Sequence, residues 1–195
     1  MIDVHILHLP NENKQWLKQC EESLVKEPII IHNLNGIQGN IKKSRLDGFK
    51  LGTAPYVSFI DPDDYIIPGA FEKCLSALNP NICGVCTSYK IIDTESATEN
   101  IFEPRKCYEI HQLVVMNRED VLEAFEKYYD EIPDNGGNEI YLYSAMRQKK
   151  SWKHIKFCGY AWRDHLNGSH YKYGPKYYYG LFKKIEETFP NLSVE

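Results

Sequence analysis

Residues 56–68 read YVSFIDPDDYIIP, an apolar run followed at once by Asp61, Asp63 and Asp64. YVSFI has the β-branched and aromatic content of a buried strand. Asp-Pro opens turns, and an aspartate here can cap the helix for which Pro68 supplies a first-turn proline. One acid is enough for that. Three neighbouring carboxylates repel one another unless a cation or a basic group compensates. Hard divalent cations such as Mn²⁺ or Mg²⁺ take carboxylate oxygens and share a diphosphate. A cation site therefore stands beside the plain turn.

The flanks place this stretch in a layered pattern. IDVHILHL (2–9) reads as a strand, and NKQWLKQCEESL (13–24) as a helix with Trp16, Leu17, Cys20 and Leu24 on one face. PIIIHN (28–33) reads as a short buried strand. Asn40 caps a helix carrying Ile41, Leu46 and Phe49, and Gly52 ends that pattern. After Pro68 a helix turns Phe71, Cys74, Leu75 and Leu78 inward, and CGVCTSYKII (83–92) is a further strand. Strands alternating with helices predict an α/β fold with a mainly parallel sheet and helices on both faces. In such sheets ligands bind beyond the carboxyl ends of the strands, and the three aspartates sit at such an end.

The second half is less regular. DTESATENIFEPRK (93–106) predicts a loop or hairpin, and HQLVVMN (111–117) a short strand. Asn117 caps a helix with Val121, Leu122 and Phe125 inside. Gly136-Gly137 marks a loop before the helix EIYLYSAMRQK (139–149). HIKFCGYAW (154–162) reads as a strand, RDHLNGSHYKYGPK (163–176) as a polar loop, and YYYGLFKKIEETF (177–189) as a last helix.

The 195 residues fit one domain. It divides into residues 1–93, residues 94–170 and a C-terminal tail or helix (171–195). No run of about 18 apolar residues predicts a membrane span. The start lacks the basic and apolar regions of a signal peptide. A cytoplasmic location is expected, in the host cytoplasm should the chain be viral. The six cysteines are expected reduced. Cys83 and Cys86 form a CxxC pair on a strand, where residues three apart face opposite sides, so they read as small core residues.

The net charge of −4 hides an asymmetry. Residues 142–184 hold ten Lys or Arg against one acid, Asp164. Trp152, Phe157, Tyr160, Trp162, Tyr171, Tyr173 and Tyr177 to Tyr179 lie among them. Such a segment predicts an anionic ligand, and cations with aromatic platforms suit nucleic acid. His5, His8 and His32 fall in predicted strands and read as core or edge residues. His154 has no evident partner.

Residues 44–75, SRLDGFKLGTAPYVSFIDPDDYIIPGAFEKCL, resemble the central block of family 2 glycosyltransferases of the GT-A, Rossmann-like fold. Arg45 matches that family's helix arginine, Gly52-Thr53-Ala54 its small cluster and Asp61-Pro62-Asp63 its D-x-D, which Asp64 extends. HQLVVMNREDVLEAF is similar to the segment that shapes the acceptor side. GGNEIYLYSAMRQKK is similar to the block with the catalytic base, and WRDHLNGSH to a late block whose histidine completes the metal site.

The resemblance implies a metal-dependent hexosyl- or pentosyltransferase using a nucleotide-sugar donor, with inversion at the sugar. It makes residues 1–93 the nucleotide-sugar-binding half and residues 94–170 the acceptor or catalytic half. It implies Mn²⁺ or Mg²⁺ on Asp61, Asp63 and His165, with His170 the second match for the histidine. It makes Glu139 the base, a role that competes with that of a first-turn acid favoured by the helix dipole. Pro10, Asn11, Glu12, Asn33, Arg45, Asp61 and Asp64 fall on the donor side. His111, Arg163, Lys172 and Lys176 are expected to bind acceptor or phosphate. One departure stands out: IIIHNLNGIQGN (29–40) has Asn33 and Asn35 where the family has an aspartate that reads the base. The acceptor is a glycan or small molecule, or a hydroxylated base in DNA, as for phage-type enzymes. A further alternative is a non-catalytic module that binds sugar nucleotide or glycan.

Overall fold

The computed structural model describes residues 1–10, 12–93, 99–111, 113–166 and 168–195. Asn11 lies outside the described residues, as does the side chain of His170. The first half alternates as expected: β1 (Ile2–His8), α1 (Lys14–Leu24), β2 (Ile29–Asn35), α2 (Ile41–Phe49) and β3 (Tyr56–Ile60). A two-residue β4 (Tyr65–Ile66) follows the aspartates, then α3 (Ala70–Ala77) and β5 (Ile82–Asp93). The second half adds β6 (Glu99–Phe102), β7 (Val114–Asn117), α4 (Arg118–Tyr128), α5 (Asn138–Arg147), β8 (Ser151–Asp164) and α6 (Ser169–Thr188).

The described strands form one eight-stranded sheet in the order β2-β1-β3-β7-β5-β8-β4, with β6 paired to β5. β1 is parallel to β2 and β3, and β5 is parallel to β8. β7 inserts antiparallel between β3 and β5, so those five strands share one direction. Helices cover both faces. Ile2, Val4 and Ile6 of β1 pack with Cys20 and Leu24 of α1 and Phe71 and Cys74 of α3. Val57 and Phe59 of β3 pack on the other side with Phe49, Phe125, Tyr141 and Ile185. Each such buried aliphatic or aromatic side chain contributes about 1.5–3 kcal/mol, and these two layers fix where β3 ends.

Caps follow the sequence. Asn13, Asn40 and Asn117 each accept from backbone N–H groups in the first turn of α1, α2 and α4. Pro68 does not enter its helix: α3 starts at Ala70 after Gly69. Its free N–H groups are taken by Glu27 instead, whose carboxylate accepts from Gly69 at 2.6 Å and Phe71 at 3.1 Å.

Other expectations change with tertiary context. β2 is an edge strand rather than a buried one, with Ile30 and Ile31 about two-fifths exposed (42% and 41%). An apolar run does not say whether a second sheet neighbour exists. The CxxC cysteines share one core layer, because the β5–β8 register slips between Ile82 and Gly84 and turns Cys83 to the side of Cys86. Gly84 is there for space: a Cβ would lie 2.6 Å from the buried Trp152 ring. All six cysteines are free thiols. Residues 99–102 pair back onto β5, a hairpin arm rather than a loop. The segment read as a polar loop is helical from Ser169, broken at Gly174 (φ 72°), where Pro175 removes a backbone donor.

No described helix is long and apolar enough to cross a membrane.

Candidate functional site

The aspartates sit just beyond the carboxyl end of β3. The Asp64 N–H donates to the Asp61 carbonyl at 3.1 Å and closes a tight turn around Pro62. The turn sends the three carboxylates apart, and each meets its own partner.

Asp61 accepts from the Arg45 guanidinium, which reaches over from α2. Arg45 lies flat on the Phe59 ring, 3.6 Å from its centroid, and is 7% exposed. This cation–π contact fixes its direction. Its second terminal nitrogen, Nη1, is buried with no hydrogen-bond partner among the described residues.

Asp63 meets His165, which follows β8: His165 Nε2 lies 2.9 Å from Asp63 Oδ2. The imidazole packs against Trp16 of α1, ring centroids 4.9 Å apart, and its Nδ1 is buried without a partner among the described residues. The sequence brings these two residues together across 102 positions, because β4 pairs with β8 directly after the turn.

Asp64 has no free face. It is 1% exposed, and its two oxygens accept from the Arg163 N–H and the Tyr160 hydroxyl, each at 2.7 Å. Burial, then the charges of Asp63 and Asp61, push its carboxyl well above the usual range. Expected on the donor, it instead ties the turn to β8. Arg163 is corrected likewise. Its guanidinium donates to the Asp63 carbonyl and to Gln19 Oε1, and packs between Trp16 and Tyr65. At 6% exposure it braces the turn instead of meeting acceptor or phosphate.

The charge crowding that argued for a cation is thus relieved by Arg45, His165 and the Asp64 donors. Among the described residues no group of three or more His, Cys, Asp or Glu is arranged to hold a metal. Asp63 Oδ2 and His165 Nε2, 2.9 Å apart, are an oxygen and a nitrogen side by side, and a cation bound by both would replace the proton they share. The carboxylate suits Mn²⁺ or Mg²⁺ and the imidazole suits Mn²⁺, so the pair would supply two ligands and leave the remaining positions to other oxygens.

Glu139 opens α5 as its first-turn acid. Burial pushes its carboxyl above the usual range, against its own backbone N–H and Arg45, while Asp61 adds to the rise. Glu139, Arg45 and Asp61 therefore share one electrostatic neighbourhood. Tyr143, one turn further along α5, feels the same three groups, and its buried hydroxyl lacks a partner among the described residues. Nothing in the sequence distinguishes Tyr143 from a core tyrosine.

On the first-half side, Pro10 is exposed in the turn after β1. Asn33 is exposed on β2 and accepts from His8 Nε2 at 3.1 Å. His8, read as a core or edge residue, lies at the rim here and also meets Glu12. His111 packs on Trp162, Tyr89 and Tyr160, with centroids 4.5, 5.4 and 6.4 Å away. His154 does have a partner, the Ser88 hydroxyl at 3.0 Å.

Part of the basic segment is neutralised by acids. Lys149 and Lys150 pair with Asp120, Arg147 with Glu195 and Lys183 with Glu187. Lys172 and Lys176 are exposed on the first part of α6 and form no ion pair among the described residues. A surface hollow of about 600 Å³ at Arg105, Lys106, Glu186 and Phe189 contains none of the candidate residues.

No protein-family model and no curated protein matches this sequence. Solved structures do match. The S. aureus TarS 1–349 structure has a TM-score of 0.66 at 11% identity, covering 100% of this chain and 66% of that one. TarS 1–349 in complex with UDP-GlcNAc has a TM-score of 0.67 at 11% identity, covering 100% of this chain and 68% of that one. A further S. aureus TarS structure has a TM-score of 0.67 at 10% identity, and this chain spans only 40% of its length. The likeness shows the fold: a GT-A, Rossmann-like α/β layer.

Proposed function

We propose that this chain is a glycosyltransferase that moves a sugar from a nucleoside diphosphate donor to an acceptor hydroxyl. One observation carries the reading. At the carboxyl end of β3, Asp61 with Arg45, Asp63 with His165, and Glu139 converge in a fold that matches TarS, a protein crystallised with UDP-GlcNAc.

The roles follow from the geometry. Asp63 and His165 would hold Mn²⁺ or Mg²⁺, which when bound would supply Lewis-acid stabilisation to the leaving diphosphate. Asp61 orients Arg45, whose buried Nη1 offers a further donor to a phosphate oxygen. Glu139 takes the proton of the attacking hydroxyl, and its raised pKa makes it a stronger base once ionised. Attack from the side opposite the diphosphate inverts the anomeric carbon. Asp64, Tyr160 and Arg163 hold the turn still, which keeps Asp63 within reach of His165. Lys172 and Lys176 remain on the acceptor side. Ion pairs at Arg147, Lys149, Lys150 and Lys183 weaken the charge argument for a DNA acceptor, which stays the alternative.

The test is a donor panel of UDP-, GDP-, CDP- and dTDP-sugars with Mn²⁺ or Mg²⁺. Metal-dependent donor binding and release of the nucleoside diphosphate are expected. Absence of binding to every donor in either metal overturns the reading.

A further inference from the structure

β1 and β2 run parallel in register from Ile2–Ile29 to His8–Asn35. β3 lies on the other side of β1, with Ile6 opposite Ile60 just before the aspartate turn. Strands are spaced about 4.8 Å apart, so the ends of β1 and β2 stand roughly 5–10 Å from that turn. A nucleoside whose diphosphate lies at Asp63 spans such a distance. The polar groups waiting there are His8, Glu12 and Asn33.

Their contacts couple the protonation of His8 to the orientation of the Asn33 amide. His8 Nδ1 lies 3.2 Å from both Glu12 oxygens, and Nε2 lies 3.1 Å from Asn33 Oδ1. A carboxylate and an amide oxygen only accept. With the Asn33 oxygen turned to Nε2, both ring nitrogens carry protons and the ring is an imidazolium; with the NH₂ turned to it, Nε2 accepts and the ring is neutral. Burial pulls the imidazole down, but the bonds to Asn33 and Glu12 and the charges of Glu12 and Glu21 outweigh it, and it titrates above its usual 6.5. Glu12 faces the ring from the turn after β1, Glu21 from α1, and β2 contributes the uncharged Asn33.

Losing one proton reverses the pair. Glu12 keeps the proton on Nδ1, so Nε2 becomes an acceptor. Asn33 must then turn its NH₂ toward the ring, and its exposed side chain leaves room to do so. The end of Asn33 facing solvent changes with it. Over the imidazolium it shows N–H donors; over the neutral ring it shows the carbonyl oxygen.

We propose that the His8–Asn33 pair reads the donor's pyrimidine base, and that the protonation of His8 selects which pyrimidine fits. Uracil presents an N3–H donor and needs the Asn33 oxygen. Cytosine presents an N3 acceptor and needs the Asn33 N–H. The neutral ring thus favours uridine nucleotides and the imidazolium cytidine nucleotides. This rests on the nucleotide-sugar reading above.

The test compares UDP and CDP binding to the full chain with Mn²⁺ by calorimetry, at about pH 6 and about pH 8.5, below and above an imidazole shifted upward. The UDP-to-CDP ratio is the readout, because metal binding and phosphate ionisation affect both nucleotides alike and cancel. One exchanged hydrogen bond predicts a rise in that ratio of about tenfold from the lower to the higher pH. Asn33→Asp, acceptor-only, is expected to favour UDP at both pH values. His8→Gln is expected to give a ratio that does not change with pH, and it serves where Asn33→Asp fails to fold. A wild-type ratio independent of pH, with both nucleotides bound, overturns this proposal and leaves the glycosyltransferase reading standing. Binding of neither nucleotide overturns the pyrimidine assignment; binding of no donor across the wider panel overturns both.

Discussion

Two clusters of aspartate, histidine and arginine sit at opposite ends of the strands β1 and β3. At the amino end, Asp3 accepts from the Ala54 N–H at 2.8 Å, His32 Nε2 at 2.8 Å and the Arg118 guanidinium. Arg118 also donates to the carbonyls of Ala54, Phe49 and Leu51. At the carboxyl end, Asp61 pairs with Arg45 and Asp63 with His165, yet Arg45 Nη1 and His165 Nδ1 are buried without partners among the described residues. The residue types are the same. The difference is satisfaction. The first cluster spends its bonds on its own backbone and locks β1, β2 and α4 together. The second leaves buried polar nitrogens unmatched, at a cost of about 1–3 kcal/mol each, which a bound ligand would offset.

That contrast predicts separable phenotypes. Asp3→Ala removes the buried carboxylate shared by Arg118, His32 and the Ala54 N–H, and is expected to lower unfolding free energy by about 3–5 kcal/mol in urea titration. A loss under about 1 kcal/mol, the range of an exposed ion pair, would erase the distinction. Asp63→Ala should do the reverse. Transfer falls on the order of 10³-fold as the leaving-group charge loses its stabilisation, while the unfolding midpoint barely moves. Glu139→Gln keeps shape and removes the base, and is expected to lower kcat by about 10²–10⁴-fold. Retained turnover in that variant would return Glu139 to the role of a first-turn acid.

Smaller effects sharpen the boundary. Asp64→Asn disturbs one of two buried hydrogen bonds and is expected to cost about 1–3 kcal/mol of stability, with KM for the donor moving less than kcat. The two clusters also separate by pH. Burial raises the Asp3 carboxyl, but His32, the Ala54 N–H and Arg118 outweigh it and hold it below its usual 3.8. Its contribution is therefore present above that value and lost as pH falls through the lower folded pKa, read as acid unfolding. Glu139 is held above its usual 4.5, so activity rises with pH through that higher value, while the fold is still intact.

Much of this was legible in the chain. The alternation of elements, the asparagine caps and the acid turn at the end of an apolar strand are local patterns, readable within a few residues. Asp61, Asp63, His165, Arg45 and Glu139 were named from sequence, and the structure brings them to one end of the sheet. Arg163 and Asp64 were named as ligand contacts and turned out to be braces. Their side chains are polar in either role, and only their partners 99 and 100 positions apart tell the roles apart. The basic segment misled for a related reason. Charges adjacent in sequence lie on α5, β8 and α6, and several meet acids that the sequence places far away.

The sequence by itself determined the local elements and the position of the acid turn, because propensity, capping and periodicity act over one or two turns of chain. Tertiary structure alone decided which strand is an edge, that Cys83 and Cys86 share a layer, and that His8 meets Asn33. It also decided that each aspartate of the turn has a different partner. Hydrogen bonds and charge pairs are short-ranged in space but indifferent to sequence separation. Their assignment waits on the packing that brings β3, β8 and α2 together.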